Sequence, residues 1–362
     1  MTKKPTAGDD FESPFDNLDR DLNALFLEGD ENFEHVFTFE EGLGPIFNNT
    51  ACGSCHPGDG RGTPELGFFR FGSDPDLAMH LGGPQHQDKA IPGVPLEIVP
   101  NNVERSFRLP LPVFGVGLIE HIPEATIMAH ADPNDDDGDG ISGRPNMVFP
   151  PEYVPEAYVG GGPGPVLGRF SRKAQISSLL QQTVEAYHED MGITSDFAPV
   201  ENLHPQSGSI ATLDQVPDPE IPASTVLETV VYIRLLQPPA RGKITTEVLT
   251  GEKMFNDIGC ASCHIPTMQT GRSPIAALDR ADVHLYSDLL LHDMGPDLAD
   301  NRADGDATGS EWRTTPLWGS RLIPEFLDGN EFYMHDGRAT SVHDAIMIHG
   351  GESQASRNTY AG

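Results

Sequence analysis

The chain has 362 residues, enough for two domains of ordinary size, each with its own core. Lys and Arg number 23 against 55 Asp and Glu, a formal charge of −32, which argues against nucleic acid or anionic lipid as partners. No run approaches the ~20 apolar residues of a membrane span.

Met1-Thr-Lys-Lys-Pro5 leads straight into acidic residues without an apolar leader, so any export signal is expected to have been removed or left out. Residues 1–34 read as an acidic arm with one short helix around Leu22–Leu27. Phe37 to Asn48 reads as a helix that delivers Cys52-Gly-Ser-Cys55-His56, and the same C-x-x-C-H pattern recurs at Cys260-Ala-Ser-Cys263-His264. In this pattern two thiols form thioethers to the vinyl groups of one haem, and the following histidine swings under the iron. All four cysteines belong to the two motifs, so none remains for a structural disulfide. A shared zinc would need the pairs ~15–20 residues apart, and more than half the chain separates them. A thioredoxin-like dithiol would need neither the second motif nor the histidines. Two covalently bound c-type haems are therefore expected, with His56 and His264 as axial ligands, in a periplasmic or exported protein.

Beyond His56, Gly58-Asp-Gly-Arg-Gly62 is a tight loop, and the proline and glycine of residues 67–112 predict a pocket wall made of loops. Phe114 to Ile127 places Glu120 inside an apolar segment, either as a buried carboxyl suited to proton transfer or as a helix-start or surface residue. Asp135, Asp137 and Asp139, with the backbone at Ile141, reproduce the opening of a calcium loop. The twelfth position is Asn146 in place of the bidentate glutamate, so a calcium site and a solvated acidic turn both remain open.

Gly160 to Gly168 is a glycine-proline linker. Phe170 to His188, with Ile176, Leu179, Leu180, Val184 and Tyr187 at helical spacing, predicts a core helix. A further helix through Val226–Leu235 ends before Pro238-Pro239, where the domain boundary is placed. Thr245 to Asp257 predicts the amphipathic helix that leads into Cys260. The fold expected is mainly α, with two cytochrome c-like haem domains carrying long loop-rich insertions: the arm at 1–34, an N-terminal haem domain at 35–238 and a C-terminal cytochrome c domain at 239–362. The second half also offers Met268, His284, His292, Met294, Met334, His335, His343, Met347 and His349 as potential ligands, most of them necessarily bystanders.

With these stretches in view the chain resembles the bacterial di-haem cytochrome c peroxidase superfamily, and within it the branch of di-haem oxidoreductases classed with peroxidases or thiol oxidoreductases. The resemblance is carried by Ala51–Gly62, Gly115–Glu120, Asp139–Arg144, Tyr286–Gly295, Glu311–Gly319 and His335–Glu352. It implies that His56 holds the haem that meets peroxide and His264 the haem that supplies electrons, from a small redox protein such as a cytochrome c or a cupredoxin. It implies Glu120 as the acid/base and Arg108 as a candidate to stabilise developing charge. Relatives place an axial methionine fourteen positions after a His-x-Gly histidine. Here His335 opens that turn and His349 falls at the matching position, which implies a bis-histidine haem of lower potential. Arg172 stands where the branch usually carries a tryptophan, leaving Trp312 and Trp318 as substitutes for an aromatic relay. The chain also stops at Gly362, where relatives continue into a terminal helix, which predicts a shortened second domain. Oxidation of an organic or protein substrate, and electron transfer without catalysis, are the alternative functions.

Overall fold

Among the described residues, 10–159, 164–207, 213 and 216–362, the computed structural model forms helices α1 (Arg20–Glu34), α2 (Cys52–Cys55), α3 (Val116–His121), α4 (Glu124–Met128), α5 (Glu156–Val159), α6 (Leu179–Glu185), α7 (Ala223–Leu235), α8 (Thr246–Asp257), α9 (Ile323–Phe326), α10 (Val342–Met347) and α11 (Gln354–Ala361). Long loops join them, pinned by short two-stranded antiparallel pairings such as Phe68–Phe71 with Arg105–Arg108 and Leu291–Asp293 with Glu311–Arg313. Residues 1–9 of the expected arm and 160–163 of the expected linker lie outside the described residues.

Helix α7 is central because it is apolar nearly all round: Val226, Val230, Tyr232, Ile233 and Leu235 are all buried. Helices α1, α3 and α6 pack around it. The expected short helix of the arm is a 15-residue element, started by the Asp19 carboxylate, which accepts from the N–H groups of Asp21 and Leu22 at 3.0 and 2.8 Å. Its Phe26 and Phe33 rings meet Tyr232 at 4.8 and 5.3 Å between centroids. Gly29 lies between them where α1 crosses α7, and a Cβ there would overlap the Glu228 carbonyl oxygen. On the other side a Cβ on Gly117 of α3 would overlap the Arg234 carbonyl oxygen. Two glycines thus set how closely α7 is approached.

Two sequence expectations change, and the apolar core spans both halves. Phe37–Asn48 is helical only over the short turn Phe39–Glu41: Gly42 and Gly44 take φ of +105° and +100°, Pro45 follows, and the chain becomes a strand pairing Ile46–Phe47 with Lys89–Ala90. The helix expected from Phe170 begins only at Leu179, because residues 170–176 fold back on themselves with Phe170 bridged to Ile176. The hydrophobic core does not divide at Pro238: Met268, Leu278, Val283, Leu285, Leu289, Leu290 and Leu322 join the cluster built on α1, α6 and α7. Helix α8 does form at the expected place, capped by Thr245, yet none of its residues is buried.

These contacts predict opposite outcomes for two glycines. Gly29→Leu must force α1 off α7 and should lower stability by about 1–3 kcal/mol. Gly251→Ala in α8, where a Cβ meets nothing within 4 Å, should raise it by about 0.5–1 kcal/mol. Thermal or urea unfolding of both variants checks the pair.

Candidate functional site

The first motif sits at the end of α1. Cys52–Cys55 form α2, and the Phe33 ring lies 6.2 Å from the His56 ring. The loop after His56 is anchored to α7, since buried Asp59 accepts from the Tyr232 hydroxyl at 2.6 Å, and burial pushes its carboxyl up to about 8. Gly53 faces the Glu34 carboxylate so closely that a Cβ would overlap it. Burial, acting against the backbone groups of Leu111 and Gly60, also pushes His56 down to about 4, which keeps the imidazole neutral.

Cys52, Cys55 and His56 open into a cavity of ≈ 210 Å³. One wall belongs to α6 and the single π-type turn Ala186–Asp190 that continues it, a helical irregularity often found at functional sites. From this wall Glu185, Glu189 and Asp190 line the cavity. Glu189 pairs with Arg70 at 3.2 Å, Gln181 donates to Glu185 at 2.7 Å, and Gln85 donates to Asp190 at 2.5 Å. Burial, reinforced by the charge of Glu189, pushes both Glu185 and Asp190 up to about 7. None of the three was singled out from sequence. The available signal was the Glu185–Glu189 spacing, which puts two carboxylates on one helical face beside a haem motif.

Glu120 does not line this cavity. Its carboxylate receives the Leu179 N–H at 2.9 Å, at the start of α6, and the Arg234 Nε at 2.7 Å. Arg108 does line it, donating through Nη2 to Asp304 at 2.5 Å and through Nε to Ser106 at 2.9 Å. Arg172 and Arg313 line it as well. The turn that carries Arg172 and Lys173 has left-handed residues at both ends, Ser171 and Ala174, and a Cβ on Gly168 would overlap the Ala174 carbonyl oxygen. Lys173 is fully buried, with Nζ 2.8 Å from Asp300 and 4.4 Å from the Trp312 ring centre.

In the second half His264 and His349 share one arrangement. The His264 Nδ1 faces the Tyr286 carbonyl oxygen at 2.8 Å and the His349 Nδ1 faces the Ala345 carbonyl oxygen at 2.6 Å, so each Nε2 is left to accept. The two rings are close enough for His349 to depress His264, which burial takes down to about 4. His335 is not with them: its ring stacks on Trp312, 3.7 Å between centres. His292 stands beside Cys263, its Nδ1 3.6 Å from Sγ and 2.7 Å from Glu352, while its Nε2 lies 2.7 Å from Asp288. Glu352 also accepts from the Ser142 hydroxyl at 2.7 Å and the Ser142 N–H at 3.0 Å, clasping the segment just after His349 to the acidic loop before residue 142.

In that loop the carboxylates of Asp132, Asp135 and Asp137 gather, whereas Asp139 accepts from the Ile141 N–H at 2.8 Å and is not one of the group. Neither this group nor Glu201, Asp218 and Glu220, the other acidic cluster among the described residues, includes a cysteine.

The donor set fits a porphyrin tethered at Cys52 and Cys55. Two thiols, a neutral histidine, an apolar lining from Phe33, Leu109 and Ile176, and buried arginines with free N–H groups all meet in one cavity. His264 and His349, with the Cys260–Cys263 pair, form a second suitable set.

No curated protein matches the chain in sequence. Among solved structures, the hydrazine synthase of Kuenenia stuttgartiensis pressurised with xenon aligns over 99% of this chain and 92% of its own, at 15% identity and a TM-score of 0.39. A family model described as "Di-haem oxidoreductase, putative peroxidase" matches residues 2–72 and 87–362. With nearly the whole length covered, the chain belongs to this di-haem oxidoreductase family.

Proposed function

We propose that this di-haem oxidoreductase is an exported c-type protein of two cytochrome c-like domains that reduces peroxide at a haem on His56, with electrons arriving through a haem on His264 and His349 from a small redox protein. The observation that carries the reading is the cavity in which Cys52, Cys55 and His56 face a wall of titratable carboxylates. No helix among the described residues is long and apolar enough to cross a membrane.

A haem on His56 supplies the redox chemistry that cleaves the peroxide O–O bond; the chain supplies position and protons. Peroxide reduction needs a group that can both give and take a proton near neutral pH. Glu185 and Asp190, each pushed up to about 7, meet that need. The Arg70–Glu189 pair contributes a fixed cation and a fixed anion beside them. Glu120 acts one step back by holding the N-terminus of α6, the helix that presents Glu185. Arg108, with its Nη1 unpartnered, is available to a developing negative charge in the cavity. In the second half, the backbone carbonyls that orient His264 and His349 fix which nitrogen each can offer to iron.

Glu185→Gln should lower kcat/KM for peroxide about 10²–10⁴-fold, and Glu185→Gln combined with Asp190→Asn should remove the pH-profile limb near 7. Glu120→Gln should keep that limb and lower thermal stability instead, because it unpairs Arg234. If the limb survives in the double variant and vanishes in Glu120→Gln, proton exchange belongs to Glu120.

His349→Ala should convert the ferric haem of the second half from low to high spin in optical and paramagnetic-resonance spectra. An unchanged low-spin signal would assign the sixth ligand elsewhere.

The clasp predicts a pH dependence of stability. Burial opposes the charge on Glu352, yet hydrogen bonds from His292 and Ser142 hold its carboxyl down at about 2, against an ordinary value of 4.5. Its contribution is therefore present above the unfolded value and lost as pH falls toward 2. His292, raised by Asp288, Cys263 and Glu352 against the effect of burial, has the opposite sign: its contribution is lost as pH rises through its elevated folded value. Acid titration of Glu352→Gln should show a flatter loss of stability than the parent, by about 2–3 kcal/mol over the range.

A further inference from the structure

Three buried guanidinium groups in this strongly acidic chain, Arg169, Arg172 and Arg313, and the half-buried Arg61 make no hydrogen bond to a carboxylate among the described residues. Arg172 donates only to the Leu109 carbonyl oxygen, Arg313 to the carbonyl oxygens of Ser171 and Thr314, and Arg61 to that of Phe332. The Nε atoms of Arg172 and Arg61 and the Nη1 of Arg108 have no partner at all. Arg169, which also lines the cavity, donates to the carbonyl oxygens of Ile119 and Ile122 and is attracted by Glu124 and Glu120. The remaining cations of the region are matched: Arg108 and Arg302 by Asp304, Lys173 by Asp300, and Arg70 by Glu189. Asp336 and Asp288 attract Arg172 and Arg313, respectively, without bonding to them. A guanidinium out of water without a counter-ion is costly. The structure is therefore short of negative charge at this place.

Its location indicates what supplies the charge. Arg172 and Arg313 line the cavity of the first motif and are tied together, the Arg313 N–H donating to the Arg172 carbonyl oxygen at 3.0 Å. Glu185, Glu189 and Asp190 reach the cavity from α6 and its π-type turn, whereas Arg172 and Arg313 reach it from the 168–176 loop and the 311–313 strand, so the carboxylates and these guanidinium groups enter from different elements. A protoporphyrin held by its vinyl edge carries two propionates at the opposite edge, which is the negative charge these guanidinium groups lack.

We propose that Arg172 and Arg313 are the anion site that receives the propionate carboxylates of the haem tethered at Cys52 and Cys55. The assignment rests on haem attachment at that motif. It gives Arg172 a role as an electrostatic anchor.

The test uses the full chain matured in a haem-attaching host. Midpoint potentials of both haems are measured spectroelectrochemically across about pH 5–8 for the parent, Arg172→Gln, Arg172→Lys and Arg313→Gln. In Arg172→Gln one of the two potentials should fall by about tenfold in the one-electron equilibrium, ~59 mV, and should become pH-dependent as a released propionate takes up a proton on reduction. Arg172→Lys should recover most of the parental value, and Arg313→Gln should shift the same haem. Should Arg172→Gln fail to mature, the Lys and Arg313 variants decide, because both alter hydrogen bonding at the site while leaving a cation there.

Parental potentials and pH profiles in these variants, with haem still found by mass on the Cys52–Cys55 peptide, overturn the proposal. So does a parental potential that moves with added chloride, phosphate or acetate, since the site would then hold a free anion. Absence of haem mass on that peptide in the parent overturns the attachment itself and is seen independently.

Discussion

The ammonium of Lys173 lies in the middle of the molecule with no access to water, and much of the structure around it follows from that. It donates to Asp300 and to the carbonyl oxygens of Arg302 and Thr308, which fixes the 300–308 loop of the second half against the 168–176 loop of the first. Asp304, on the same loop, receives Arg108 and Arg302. Removing one partner from such a network leaves a bare charge in a low-dielectric interior, so the partners hold one another in place. This ionic layer ties residues on either side of Pro238 to one another, and the apolar cluster that includes residues of both halves has the same effect.

The layer also accounts for the shape of the first cavity. Backbone strain at Ser171 and Ala174 turns two successive cations inward, Lys173 into the ionic layer and Arg172 toward the cavity. On the opposite wall, α6 passes into a π-type turn, which changes the phase of the helix and lets Glu185, Glu189 and Asp190 all reach one space. One apolar-lined cavity therefore receives carboxylates from one wall and guanidinium groups from another, although the chain as a whole is strongly negative.

What could be read from the amino acids follows from the range of the interactions involved. The haem motifs, helix α7 and helix α8 depend on contacts between near neighbours, and each lies where spacing and capping residues predict it. The partners of Glu120 are Leu179 and Arg234, 59 and 114 positions away, and no local pattern announces them. The helix predicted for Phe37–Asn48 failed on two left-handed glycines, a conformation that hydrophobic periodicity does not register. The carboxylates of the cavity were hidden for a different reason: they sit in a stretch whose apolar spacing already explained it as core, and periodicity says nothing about what the remaining face meets.

The two tryptophans make the same point about context. Trp312 is held between His335, stacked on it at 3.7 Å, and Lys173, which must occupy the other face. Its ring stabilises the ammonium through its quadrupole, and by the same electrostatics the ammonium opposes withdrawal of an electron from the ring. A side chain recruited to answer a buried charge is poorly placed to carry an oxidising equivalent. Trp318 lines the first cavity, close against Gly115, where a Cβ would come within 2.6 Å of the indole. Among the described residues no cation stacks on it, so of the two rings Trp318 is the easier to oxidise on electrostatic grounds. Residue type alone cannot separate them; the charge above the ring does.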